Sequence, residues 1–251
     1  MRHLLLSILA LSGLLSACAP MSGPGSAPAL VATRHADFDH DTLALTWQPG
    51  FCGQGQCLAD QPHAPLIGLH GLWASETHDL IAAHMPVQDW WKRGCDVYLP
   101  PADAMPPLSL DTARRLDAAT AHVAHSLPAH EWNKHGRCFG YDADHFFVAG
   151  LTLRDRFAAS PTGQALEQDA GRVIGHDDLL ALFARNTGAT ATRALQLRCG
   201  RDSMGRPVLE QLWFTLRPDA LDRFPAAASY APSPDLQDNC PASFRVPGWA
   251  E

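Results

Sequence analysis

The sequence predicts an α+β domain built on a central antiparallel sheet packed with helices. Three observations predict this class. Runs with period-two alternation of apolar residues stand near both ends of the chain. Segments with helical spacing lie between them. Strands and helices do not alternate with the strand–helix–strand regularity of a parallel sheet.

The elements follow in order. Leu43, Leu45 and Trp47 alternate with small or polar residues, so residues 42–48 read as a strand. Residues 65–69 form a short apolar run, read as a second strand that ends at His70. Ala113, Leu116, Thr120, Val123 and Leu127 recur at helical spacing, so one helix is expected over residues 111–127. Pro128 breaks that run and opens the next helix, because proline is tolerated in a first turn. Residues 144–157 and 177–186 read as helices, and Gly188 stops the second. Residues 193–199 and 208–216 read as strands joined by the turn Asp202-Ser203-Met204-Gly205.

The N-terminus carries an address. Arg2 and His3 precede an apolar run from Leu4 to Leu15, then Ser16-Ala17-Cys18. The run is too short to span a bilayer as a mature helix and reads as a signal peptide over residues 1–17. Leu15-Ser16-Ala17-Cys18 also resembles a bacterial lipoprotein processing box, which makes Cys18 the first mature residue and the site of lipidation. Residues 18–32 are rich in Pro, Gly and small residues and read as a flexible tether. Residues 33–251 remain for one domain with a sizeable core. No internal repeat and no second membrane-length apolar run is visible.

Seven cysteines are odd in number, and setting Cys18 aside leaves six. Six cysteines in an exported chain imply an oxidising compartment, but they allow fifteen pairings. Without residues 1–17 the chain has 18 basic and 26 acidic residues, a net charge of −8. Protonating its 12 remaining histidines carries it to +4. That acidity argues against a general RNA-binding module, whose affinity is mostly electrostatic, but not against an enzyme with local positive charge.

The chemistry is concentrated in His130-Glu131-Trp132-Asn133-Lys134-His135-Gly136-Arg137-Cys138. Six residues hold two imidazoles, a carboxyl and an ammonium, and His70 stands upstream in Gly68-Leu69-His70-Gly71-Leu72-Trp73. At about 100° per residue on an α-helix, His130, Lys134, Glu131 and His135 share one arc of roughly 140°. Two groups that titrate near neutrality and a cation fit metal-independent phosphoryl transfer. A zinc site fits less well. The metalloprotease helix places its histidines at i and i+4, whereas these stand at i and i+5 with Lys134 beside them. His122 and His125, at i and i+3, offer only a weak metal pair.

These two segments closely resemble the active-site segments of the ribonuclease T2 family. Residues 43–52, Leu-Ala-Leu-Thr-Trp-Gln-Pro-Gly-Phe-Cys, resemble the family's first core strand, and Trp90-Trp91-Lys92-Arg93-Gly94-Cys95 resembles its bacterial periplasmic members. The resemblance covers roughly residues 40–245. It implies a ribonuclease T2-like fold and the pairings Cys52–Cys57, Cys95–Cys138 and Cys199–Cys240. It also implies catalysis by His70, His130, Glu131, Lys134 and His135. His135 is then the base, His70 the acid, and His130 a phosphate ligand. Lys134 offsets the extra negative charge of the pentacovalent state. Glu131 cannot do this as a carboxylate; it orients or charges a histidine, or donates a proton when neutral. Trp73 is the expected base-stacking platform. Arg137, where many members have Thr, is the expected extra backbone contact. Many members follow the tryptophan with Pro-Asp, and the Asp helps to read a base. Ala74 and Ser75 stand here instead, which points to low base specificity.

The expectation is therefore an endoribonuclease that cleaves single-stranded RNA, not DNA, through a 2′,3′-cyclic phosphate, without a cofactor. It is expected to act as a monomer, periplasmic or anchored to the outer membrane through lipid on Cys18, or otherwise secreted. The competing readings are a non-catalytic RNA-binding surface lipoprotein and a zinc-dependent hydrolase.

Overall fold

The computed structural model describes residues 30–249. Residues 1–17, expected to be a signal peptide, together with Cys18 and most of the expected tether, lie outside them. Among the described residues no helix is long and apolar enough to cross a membrane.

The principal elements are β1 (Asp41–Trp47), α1 (Gln48–Phe51), β2 (Ile67–Ala74), α2 (His78–Ala82), α3 (Val87–Arg93), α4 (Leu110–Ala119) and α5 (Leu127–Glu131). They continue with α6 (Ala143–Ala158), α7 (Pro161–Gln168), β3 (Arg172–Gly175), α8 (His176–Thr187), β4 (Leu195–Arg201), β5 (Pro207–Leu216) and β6 (Ser243–Val246). The six-stranded sheet runs β2-β1-β5-β6-β3, with β4 also paired to β5. Every pairing is antiparallel except β5 with β6, which is parallel at Val208 and Arg245. The sheet is thus mixed rather than wholly antiparallel. β6 arrives after a long connection from β5, so the chain is free to lay it down in either direction.

One face of the sheet is covered by helices. Leu43, Leu45 and Trp47 of β1, Leu212 and Phe214 of β5, and Phe146, Leu153 and Phe157 of α6 join one buried cluster. Gly150 lets α6 lie close on β2: a Cβ there would stand 3.1 Å from Leu69. The helix ends follow local chemistry. Ser109, Ser126, Asp142 and Ser160 each cap a helix by accepting a backbone N–H. Gly188 closes α8 with a φ of 71°, as its position in the sequence predicts.

Two predicted boundaries move. β2 does not end at His70 but runs on to Ala74, because β1 continues to pair with it as far as Asp41. The helix expected over residues 111–127 breaks at Thr120, whose backbone is extended and whose hydroxyl bonds to the Leu116 carbonyl. A connection then leads to the Ser126 cap and a fresh helix with Pro128 in its first turn. All three implied disulfides are formed: Cys52–Cys57, Cys95–Cys138 and Cys199–Cys240.

Candidate active site

His70 owes its position to a β-bulge. Ala44 of β1 faces Gly71 and Leu45 faces Leu69, so His70 is the extra residue left between them. Its Nδ1 lies 3.4 Å from the Thr46 hydroxyl on β1 and 3.1 Å from the Gln211 amide nitrogen on β5. Three adjacent strands therefore hold one ring.

The second half of the site comes from α5 and the turn after it. α5 ends at Glu131, and Trp132–Gly136 winds as a π-helix in which the Arg137 N–H reaches back to the Trp132 carbonyl. This departs from the regular α-helix on which the arc of roughly 140° rests. A π turn closes i to i+5, so it draws His130 and His135 towards one another. Their ring centroids lie 6.3 Å apart. Asn133 braces the turn by donating to the carbonyls of Ala104 and Ala129, each at 2.8 Å. The Cys95–Cys138 bridge fixes its far end against the chain that follows α3.

Glu131 joins the two halves. It is 1% exposed, accepts a 2.6 Å hydrogen bond from Trp73 Nε1 on Oε2, and presents Oε1 3.6 Å from His70 Nε2. Gly71 makes room for it, since a Cβ at that position would overlap the carboxyl. Burial pushes the Glu131 carboxyl up to about 8, against the opposing pull of Trp73 and Lys134. His70 is lowered to about 4, first by burial and then by the positive charges of His130 and Lys134. His135 is held well below the ordinary imidazole range by burial, Lys134, His130 and His70. His130 is lowered by partial burial and Lys134, with Asp96 acting the other way. The free site is therefore a set of neutral groups around one ammonium. An arriving anion relieves the mutual repulsion and draws protons on to the imidazoles.

The five expected catalytic residues and Trp73 line one groove of about 500 Å³, walled on the other side by His40, Trp213, Gln196 and Asp235. Trp73 packs edge-on to His70 and Trp213 and at 5.3 Å from the His135 ring. It positions Glu131 as well as offering a ring to the groove. Arg137 is not brought there. Its guanidinium is consumed by Asp96 at 2.6 Å and by the carbonyls of Pro100 and Asn133, each at 2.7 Å, so it braces the π turn instead of reaching a backbone phosphate. Ser75 is also committed, its hydroxyl accepting the backbone N–H groups of Asp39 and His40.

Among the described residues one trio converges metal-type ligand atoms within 4.8 Å: His130, Glu131 and His135. One Glu131 oxygen is already held by Trp73, and the positive charge of Lys134 acts on all three groups. That environment suits an anion better than a cation. His122 lies near Asp60 and Asp117, away from this set.

Sequence reading missed Thr46, Gln211, Trp213 and His40. Gln211 and Trp213 alternate with core residues Leu212 and Phe214, so the period of the strand places them on the face turned away from the core. That signal was available, but nothing in sequence ties the face to His70.

The ribonuclease T2 family model matches residues 38–225. The chain belongs to the ribonuclease T2 family. It is accordingly an endoribonuclease. Ribonuclease I of Escherichia coli is 29% identical over 247 residues, spanning 88% of this chain and 90% of that protein. Among solved structures, the self-incompatibility-associated SF11 ribonuclease of Nicotiana alata superposes with a TM-score of 0.55 at 20% identity, over 82% of this chain and 96% of its own. RNase NT, solved in complex with 5′-AMP, gives a TM-score of 0.53 at 14% identity, over 84% of this chain and 98% of its own. These structural likenesses carry the fold.

Proposed function

We propose that this ribonuclease cleaves single-stranded RNA with low base specificity in two steps, without a metal. In the first, neutral His135 takes the ribose 2′-OH proton as the oxygen attacks phosphorus. The P–O5′ bond breaks, and the His70 imidazolium gives its Nε2 proton to O5′. The product is a 2′,3′-cyclic phosphate. Water then opens the ring with the two roles reversed. His130 and Lys134 hold the phosphate oxygens, and Glu131, kept neutral by burial, donates a hydrogen bond to the pentacovalent state. DNA lacks the 2′-OH and is not a substrate.

The observation that carries this reading is the meeting of His70 with His130, Glu131, Lys134 and His135 in one groove. Low base specificity is supported by Ala74 and by the Ser75 hydroxyl, which is already occupied by backbone N–H groups. Trp73 offers the groove a ring that any base can stack on. We assign Cys18 a lipid that anchors a monomeric domain by its tether at a periplasmic membrane face, on the strength of the residues before it. Cleavage assays on homopolymeric RNAs and DNA, with and without chelator, test the activity. Cleavage of every RNA, no cleavage of DNA and indifference to chelator are expected. Equal hydrolysis of DNA or abolition by chelator contradicts the proposal.

A further inference from the structure

Gln211 faces two neighbours of unequal character. Its Oε1 lies 2.5 Å from Trp213 Nε1, and its Nε2 lies 3.1 Å from His70 Nδ1. An indole N–H can only donate. The Gln211 oxygen must therefore face Trp213, and the amide N–H₂ must face His70. A donor aimed at Nδ1 requires a lone pair there, so the neutral ring carries its proton on Nε2, towards Glu131 and the groove.

We propose that Gln211, oriented by Trp213, is a positioning residue that holds the resting ring of His70 in the Nε2–H tautomer and opposes a proton on Nδ1. This inference rests on the two-step reading above. In cleavage the imidazolium carries protons on both nitrogens, so its Nδ1–H meets the same amide donor, with the Thr46 hydroxyl 3.4 Å away as the acceptor beside it. Giving the Nε2 proton to O5′ leaves the neutral Nδ1–H form, which is the form required to take a proton from water in the second step. The Gln211 amide opposes both Nδ1–H forms and returns the neutral ring to the Nε2–H tautomer. It therefore makes His70 a weaker base and its imidazolium a stronger acid. The arrangement is the reverse of a carboxylate behind a histidine, which accepts from Nδ1–H and strengthens the ring as a base.

The charged and titratable groups facing His70 are Glu131 and His130 from α5 and Lys134 and His135 from the π turn. Its other neighbours, Thr46 and Gln211 on the sheet, are neutral. Gln211→Glu leaves all four in place and exchanges a donor for an acceptor with no change of size. It should move the alkaline limb of cleavage upward by about 1–3 pH units, as a nearby opposite charge does. Trp213→Phe frees the amide to turn over and should move the same limb in the same direction by a smaller amount. It keeps the test decisive if the buried Glu prevents folding. Nitrogen-15 NMR of the ligand-free protein reads the tautomer directly and does not depend on the acid–base roles. An Nε2–H His70 in the parent supports the proposal, and an Nδ1–H ring overturns it. An unmoved alkaline limb in folded Gln211→Glu and Trp213→Phe also overturns it. Failure of the underlying two-step reading looks different, because His70→Ala would then keep near-parental cleavage.

Discussion

Replacing Glu131 asks whether this carboxyl acts as a charge or as a neutral donor. With its pKa pushed up to about 8, roughly one molecule in a hundred carries the carboxylate at pH 6. Gln at this position keeps the size, keeps an oxygen for the Trp73 N–H, and offers the groove an N–H₂ donor in place of Oε1. Glu131→Gln should therefore lose no more than about 10-fold in turnover at pH 6. Glu131→Ala, which removes the donor, should lose about 10²–10³-fold, the scale of one transition-state hydrogen-bond donor. The pH dependence carries a sign. A carboxyl whose folded pKa lies above its unfolded value stabilises the fold fully below the unfolded value. It loses that contribution as pH rises to about 8. The parent should thus lose thermal stability between about pH 4 and pH 8, and Glu131→Gln should flatten that decline. Steady-state kinetics on a short RNA from pH 5 to 9, paired with melting curves, measures both. If Glu131→Gln is as inactive as Glu131→Ala at pH 6, the neutral-donor role is wrong and the carboxylate is required.

His70→Ala and His135→Ala should each lower turnover by about 10²–10⁴-fold while circular dichroism stays native; near-parental turnover in either rejects its proton-transfer role. Asp41, 3% exposed, is pushed up to about 7 by burial, so it too costs stability as pH rises from about 4 towards 7. Asp41→Asn should raise the melting temperature at pH 8 but not at pH 4, and an equal change at both contradicts the cause given. Cys18→Ala should release the protein from the membrane fraction or block its processing, with the activity of any soluble form intact. Unchanged fractionation would point to a plain secretion signal.

Much of this was legible in sequence because it is local. The alternation of Leu43, Leu45 and Trp47 is a property of one strand, and Gly188 ends α8 by its own backbone freedom. The candidate site was legible because its residue types are costly to bury without a purpose. What was not legible depends on distant partners. The bulge at His70 exists only through the register of β2 on β1. The π turn is braced by Ala104 and by a disulfide to Cys95. The short strands β3 and β6 pair only with each other and with one residue of β5, and neither shows a pattern alone. Arg137 illustrates the opposite error. A cation beside a catalytic segment reads as a phosphate ligand until Asp96, 41 residues away, is seen to hold it.

The central claim is that the 2′-OH of the substrate is the nucleophile and that histidines move the protons. Analysis of the ends produced early in cleavage tests it most directly. Purified protein lacking residues 1–18, acting on a short single-stranded RNA in the presence of chelator, should yield 2′,3′-cyclic phosphate and 5′-hydroxyl ends. The same RNA with a 2′-deoxy sugar at the cleaved position should remain intact. Products bearing 5′-phosphate and 3′-hydroxyl ends, or cleavage of the 2′-deoxy substrate, would contradict the account.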